Sequence, residues 1–288
     1  MKILITGYLG FVGKYFVKKY LKHDITGIDI KENIDCRDFF KINNIKYDLV
    51  IHLAAIVGGR ETIENSPLSV AVDLAIDSEM IQWALRTRPE RIVYFSSSAA
   101  YPIELQKDEL KYKLLESDIN LLDMRSPDLT YGWAKLSGEY CLEFLKAEGI
   151  KVHVFRPFSG YGTDQDLNYP FPTFVNRAKE KCTPFNIWGN GEQVRDFIHI
   201  RDIVDAVDAA IINDICVPVN LGTGIPTSFN QLKELVCQKM GYDPEINHIK
   251  SKPSGVMYRC SNNHLMLSFY KPKIDLVRGI DMAFSNII

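Results

Sequence analysis

The chain has 288 residues, a formal net charge of −2, 46% hydrophobic and 24% charged residues. This is the composition of a globular protein, with room for one large domain or two closely joined ones. No basic stripe suits nucleic acid or a membrane surface, and no apolar run approaches the ~20 residues of a membrane span. Six cysteines, at 36, 141, 182, 216, 237 and 260, form no CxxC pair. They predict reduced, mostly buried thiols and a cytoplasmic protein. No His/Cys/Asp cluster has metal-ligand spacing, so no metal is expected.

The first residues, MKILITG, lack the layout of a signal peptide. KILIT reads as a short buried strand. FVGKYFVKKYLK follows at helical spacing, with Phe11, Val12, Tyr15, Phe16 and Tyr20 on one face. ITGIDI and YDLVIHLAA read as the next strands. Residues 66–87 read as a helix ending near Pro89, and RIVYFSSS as a further buried strand. YGWAKLSGEYCLEFLKAEG is a helix that stops at Gly149, and KVHVFRP is the strand after it. Strands alternating with helices predict right-handed βαβ units, hence an α/β, Rossmann-type doubly wound parallel sheet. The pattern loosens after about residue 160. We therefore expect a dinucleotide-binding domain over 1–160, a return of the chain near 190–215, and a smaller, irregular α/β substrate domain over 161–288.

A strand, then Gly7-x-x-Gly10-x-x-Gly13, then a helix is the layout of a dinucleotide-binding turn. The glycines allow a tight turn and close approach to a pyrophosphate, and the helix N-terminus offers free N–H groups. Asp29 ends the second strand, where a carboxylate can accept both ribose hydroxyls of NAD and repel a 2′-phosphate. The expected cofactor is NAD, with Lys31 close enough to soften that preference.

Further along, SSSAAY and YGWAK complete a pattern that resembles the extended short-chain dehydrogenase/reductase family, in particular its NAD-dependent nucleotide-sugar epimerases and dehydratases. The likeness covers most of the chain. DCRD resembles the family's adenine-contacting segment, which implies cofactor contacts from Asp35 and Cys36. DLVIHLAA resembles the strand beside the cofactor, which implicates Leu53, Ala54 and Ala55 together with Phe11, Val12 and Phe158. RPFSGYG and WGNGEQVRDFIHIRDIVDA resemble its substrate-side segments.

Tyr131 and Lys135 stand four apart, hence on one helix face. A phenol with an ordinary pKa near ~10 is a poor base, and a neighbouring ammonium favours phenolate. The resemblance implies that Tyr131 is the acid/base at a sugar hydroxyl and that Lys135 binds the nicotinamide ribose and lowers the Tyr pKa. Counting back four from Tyr101 selects Ser97 as the catalytic serine, with Ser98 in a substrate-contacting role. Arg195 resembles the arginine that grips the substrate diphosphate, for which a guanidinium fork is suited. A salt bridge to Asp196 or Asp202 is the plainer reading of Arg195. Arg259 is a second phosphate candidate, and Phe185, with the helix carrying Phe174, could wall the nucleotide base. His52 and His199 read as structural, and Asp202 as a helix N-cap.

The departures narrow the reaction. The 4,6-dehydratases carry Asp-Glu directly after the serine or threonine, where this chain has Ser98 and Ala99. The 3,5-epimerase/reductases carry a Cys where Ala99 stands, and decarboxylating members a Glu after the serine. What the resemblance then implies is redox chemistry at C4 of a nucleotide-diphosphate sugar. A 4-epimerase is the leading reading; a 4-dehydrogenase or 4-ketoreductase is the alternative. The Gly58-Gly59 pair resembles members acting on GDP-sugars, and Ser159 replaces a more usual Asn. Outside this class stand a non-catalytic dinucleotide-binding sensor or scaffold and a reductase of small non-nucleotide substrates. Retention of Tyr131 and Lys135 argues against the first, and Asp29 with Arg195 against the second. The family's four-helix interface, from 66–87 and the Tyr131 helix, implies a homodimer.

Overall fold

The computed structural model describes residues 1–58 and 60–286. Apolar runs with β-branched residues give the parallel strands β1 (Lys2–Thr6), β2 (Asp24–Ile28), β3 (Leu49–His52), β4 (Arg91–Phe95), with β6 (Lys151–Pro157) further on. Between them lie helices α1 (Phe11–Lys19), α2 (Cys36–Ile42), α3 (Arg60–Asn65), α4 (Val70–Thr87) and α5 (Leu129–Ala147). A short strand β5 (Lys113–Leu114) precedes α5. The chain continues through β7 (Ser159–Tyr161), α6 (Pro170–Lys179), β8 (Phe185–Trp188), β9 (Val194–His199), α7 (Ile200–Ile212), β10 (Val219–Leu221), β11 (Pro226–Ser228), α8 (Phe229–Lys239), β12 (Ile246–Ile249), β13 (Tyr258–Ser261), α9 (His264–Leu267) and α10 (Leu276–Phe284).

The main sheet is wholly parallel, in the order β10-β6-β4-β3-β1-β2. One apolar core lies between it and α1 and α7, around Ile3, Phe16, Val93 and Val207. A second lies on the opposite face against α2, α4 and α5, around Phe40, Trp83 and Leu142. The order in which the chain adds strands reverses between β1 and β3, and in such folds the crevice outside the strand carboxyl ends is where ligands sit. Thr6 and His52, at those two ends, are direct register partners.

The remainder forms a second lobe. Strands β11-β9-β13-β5 make one sheet, β7 pairs with β9, and β12 pairs with β8. Its core joins Phe171, Phe174, Phe185, Leu232 and Ile280. α7 covers the main sheet and β10 extends its edge.

Several elements differ in extent from the sequence reading. The helix expected over 66–87 is a 3₁₀ turn at Pro67–Ser69 followed by α4. The first helix stops at Lys19, where Tyr20 turns to Asp208. Asp202 is not the N-cap of α7; His199 is, accepting from the Arg201 amide. Asp202 instead accepts from the Tyr270 hydroxyl and the Lys273 and Ile274 amides, anchoring a segment about 70 residues away. Only Cys36, Cys237 and Cys260 are buried, and all six cysteines are free thiols. Among the described residues, no helix is long and apolar enough to cross a membrane.

Candidate active site

The glycine turn is built on close backbone approaches. Gly7 has φ +70°, and a Cβ there would come 3.0 Å from the Ala54 amide nitrogen. A Cβ on Gly13 would lie 2.3 Å from the Gly7 carbonyl, so only glycine lets α1 start against the turn. Gly10 caps α1 without a side-chain hydrogen bond, which leaves the first-turn amides beside Phe11 and Val12 open to an anion. Leu53 and Ala54 are held by their amides on the Thr6 hydroxyl, both at 3.2 Å, and Ala55 continues this loop at the mouth of the crevice.

Asp29 is buried. Its carboxylate accepts from the Leu9 amide and the Lys31 amide, both at 2.9 Å, so it also stiffens the turn it faces. Lys31 extends to the Leu9 carbonyl at 3.1 Å. Asp35 caps α2 and ion-pairs with Arg37 at 2.5 Å. Cys36 lies in the core beneath, its thiol pushed up to about 12 by burial. A tight turn, open helix-terminal amides and a strand-end carboxylate together fit a dinucleotide such as NAD.

Tyr131 and Lys135 rise from α5 beside this crevice. The Lys135 ammonium is buried, 5.1 Å from the centre of the Tyr94 ring and 5.9 Å from that of Tyr131. The Ser97 hydroxyl engages the Tyr131 phenol and also accepts from the Ala99 amide at 3.1 Å. The Tyr131 phenol is held above the ordinary tyrosine value, first by burial and further by Asp73; Lys135 and Ser97 pull it down. The expected lowering by Lys135 is therefore present but outweighed by burial. Asp73 accepts from the Ile56 amide at 2.5 Å and lines a small cavity with Val57, Gly58 and Tyr131. Below it, Asp77 accepts from Tyr94 at 2.6 Å and meets His52 at 3.2 Å, and His52 meets Thr6 at 2.9 Å. A buried network thus runs from Lys135 on α5, over the Tyr94 ring, through Asp77 and His52 to Thr6 on β1. His52 is the satisfied core histidine expected.

The helix and the serine loop touch through backbone. A Cβ on Gly132 would lie 2.3 Å from the Ala99 carbonyl. Farther along α5, Glu139 is buried and holds Arg156 at 2.6 Å as well as the Ser96 hydroxyl.

On the second lobe, Arg195 (β9) and Arg259 (β13) are direct register partners in adjacent parallel strands. Like charges opposed in this way repel unless an anion lies between them. Asp128 ion-pairs with Arg259 at 2.6 Å and with Arg60 at 2.7 Å. Arg195 ion-pairs with neither Asp196 nor Asp202. It donates to the carbonyls of Val194 and Val256, at 2.8 and 2.9 Å. Its guanidinium is held well below the usual arginine range, by burial first and by Arg259 and Arg60. Asp196 is occupied by Thr223, Gly224 and Ser261.

One aromatic expectation needs correction. Phe185 is fully buried and packs edge-on against Phe174 in the second-lobe core, so neither ring walls a base. The ring of Phe158 packs with Tyr101 and Leu114. Ser98 is buried in the 3₁₀ turn Ser98–Ala100, and Ser159 opens β7 opposite Phe197. Gly59 lies outside the described residues. Sequence reasoning missed Arg60, Asp73 and Asp128. Arg60 directly follows the Gly58-Gly59 pair, and Asp128 directly precedes the Tyr131 helix; those positions were the available signals.

Away from this site, His153, Asp214 and Cys216 come within 4.8 Å of one another, a grouping their sequence spacing hides. Asp214 is already paired with Lys151 at 2.5 Å, and the His153 Nδ1 donates to the Ile215 carbonyl at 2.7 Å.

GDP-mannose 3,5-epimerase of Arabidopsis thaliana is 29% identical over 99% of this chain and 81% of its own length. A putative UDP-glucose 4-epimerase of Methanocaldococcus jannaschii is 29% identical over 96% and 95%. The structure of UDP-glucose 4-epimerase from Thermus thermophilus, solved with NAD, superposes with a TM-score of 0.84 at 19% identity, covering 100% and 99% of the two chains; it shares the fold. A family model matches residues 3–222, and the chain belongs to the NAD dependent epimerase/dehydratase family of enzymes.

Proposed function

We propose that this protein is a nucleotide-sugar 4-epimerase. What supports the reading is the grouping of Ser97, Tyr131 and Lys135 near the start of α5, together with the register-paired Arg195 and Arg259, the second of which reaches that helix start through Asp128. The two arginines suit a diphosphate, which neutralises their mutual repulsion. NAD, held by the glycine turn and Asp29, supplies a hydride acceptor for the sugar's C4. Tyr131 takes the proton of the C4 hydroxyl and later returns it. Ser97 hydrogen-bonds the same oxygen and aims it at the phenol. Lys135 stabilises the phenolate once the ligands displace water.

Ala99 contributes a methyl group where elimination or C5 epimerisation needs an acid or a thiol, and its carbonyl is pressed against α5. Asp73 is engaged by the Ile56 amide. These features favour an exchange of hydride and proton without loss of water. Epimerisation further requires the sugar to present its opposite face, which a grip at the diphosphate end permits.

A homodimer is part of this reading. Trp133, Tyr140 and Phe144 are exposed on one face of α5, and Leu74 and Leu85 are exposed on α4 beside it. Such a patch on adjacent helices suits a second copy of the same pair.

The test is mass spectrometry and NMR of products after incubation with UDP-, GDP-, dTDP- and CDP-hexoses. The expected product has the substrate's mass and the inverted C4. A product lighter by two hydrogens, with NADH left behind, identifies a 4-dehydrogenase instead. A product lighter by one water overturns the proposal.

A further inference from the structure

Asp128 has the residue type and position of a helix N-cap, yet its side chain does not cap α5. It is turned away, buried, and accepts from two guanidiniums. Arg60 Nη1 donates to both carboxylate oxygens at 2.7 and 2.9 Å, and Arg259 Nη2 donates at 2.6 Å. Each arginine reaches further. Arg60 pairs through Nε with Glu64 on the exposed side of α3. Arg259 donates through Nε to Gln106 at 2.5 Å, and Gln106 donates to the Tyr101 carbonyl at 3.1 Å.

The backbone of Asp128 is equally engaged. Its amide donates to the Ala99 carbonyl at 2.9 Å, two residues beyond Ser97, and its carbonyl accepts from Gly132 at 3.1 Å. The next residue, Leu129, has φ +57°, a left-handed conformation that a leucine holds only where its surroundings impose it. Two residues later stands Tyr131. One carboxylate therefore joins Arg60 on α3, Arg259 on β13 and the start of the helix that carries the acid/base residue.

We propose that Asp128 is a positioning residue that couples the arginine site to the placement of Tyr131. The inference rests on the reading above, that Arg195 and Arg259 receive a diphosphate. Arg259 must then be shared between Asp128 and the incoming dianion. The sharing weakens the ion pairs that fix the first turn of α5, so an occupied arginine site and the ion-paired seat of Tyr131 compete for one guanidinium. Coupling of this kind is reciprocal between the two sites. Arg60 keeps Asp128 from being drawn wholly onto Arg259. Removing Asp128 frees Arg259 for ligand and unseats the helix start; removing Arg60 gives Asp128 to Arg259 alone.

The experiment uses the full chain and calorimetric titration with UDP, GDP, dTDP and CDP, alongside turnover of the hexose carrying whichever base binds. For Asp128→Asn we expect NAD binding within about twofold of the parent, nucleoside-diphosphate affinity raised about threefold or more, and kcat lowered about tenfold or more. For Arg60→Gln we expect the affinity to move the other way, about threefold weaker. A merely structural Asp128 predicts weaker binding and slower turnover together in Asp128→Asn, or no change in either; both results overturn the proposal. Should Asp128→Asn fail to fold, unchanged or tighter nucleotide binding in Arg60→Gln overturns it as well. If the parent chain binds NAD but none of the four nucleotides, the diphosphate reading itself falls and takes the proposal with it.

Discussion

Gly132→Ala adds one methyl group where α5 presses against the serine loop. The new Cβ would lie 2.3 Å from the Ala99 carbonyl oxygen and 2.9 Å from the Pro127 Cβ. The first obstacle is backbone and cannot rotate aside. Ordinary contact begins near 3.4 Å, so α5 and the loop must part by about 1 Å. Overpacking of this kind costs about 1–3 kcal/mol, and in a chain of this length each kcal/mol lowers Tm by about 2–4 °C. The functional cost is larger in proportion. Tyr131 precedes Gly132 and Ser97 lies two residues before Ala99, so the separation opens the pair that must share one oxygen. A misplacement of about 1 Å costs on the order of 10²-fold in rate. The glycine turn is untouched, so NAD affinity should stay within about twofold. The assay is a thermal melt and NAD titration, then turnover of the substrate found for the parent. A variant with parental turnover would show that the separation of Ser97 and Tyr131 is not what limits catalysis, whatever its Tm.

Other outcomes follow from the same geometry. Tyr131→Phe should keep the fold and NAD binding and lose about 10²-fold or more in turnover, as expected for a general base; normal turnover would place the acid/base group elsewhere. The parent should bind NAD at least about tenfold, or ~1.4 kcal/mol, more tightly than NADP. Asp29→Ala should narrow that gap, and it should also lower Tm because the Leu9 and Lys31 amides lose their acceptor; equal titration curves for the two cofactors in the parent would refute the role. Burial holds His199 near a pKa of about 4, whereas an unfolded imidazole titrates near ~6.5. The unfolded chain therefore takes up the proton first, and stability present above about 6.5 is lost as pH falls toward 4, by up to ~1.4 kcal/mol per unit. His199→Asn, which can still cap α7, should flatten Tm against pH in that window; an unchanged slope would assign the acid sensitivity to other groups.

The sequence determined the parts whose chemistry is local. A glycine triplet between an apolar strand and a helix has one common use, and Gly7 and Gly13 carry the close approaches that use requires. Tyr131 and Lys135 share a face because four residues make about one helical turn. β6 matches its apolar run from Lys151 to Pro157, and α5 ends just before Gly149, because the strand is buried on both faces and the glycine takes φ +83°. Tertiary structure decided the rest. Arg195 and Arg259 became neighbours through the register of β9 against β13, which nothing in either segment encodes. Asp128 has the local signature of a cap and was diverted by guanidiniums about 70 residues before it and 130 after it. Asp202 likewise lost a capping role to His199 and gained three distant donors. Phe185 is aromatic whether it faces a ligand or a core, and only the packing of α6 and α8 around it made it core. Residue type and short spacing set what a side chain can do. Which partner reaches it first depends on strand register and burial, and these are properties of the folded chain as a whole.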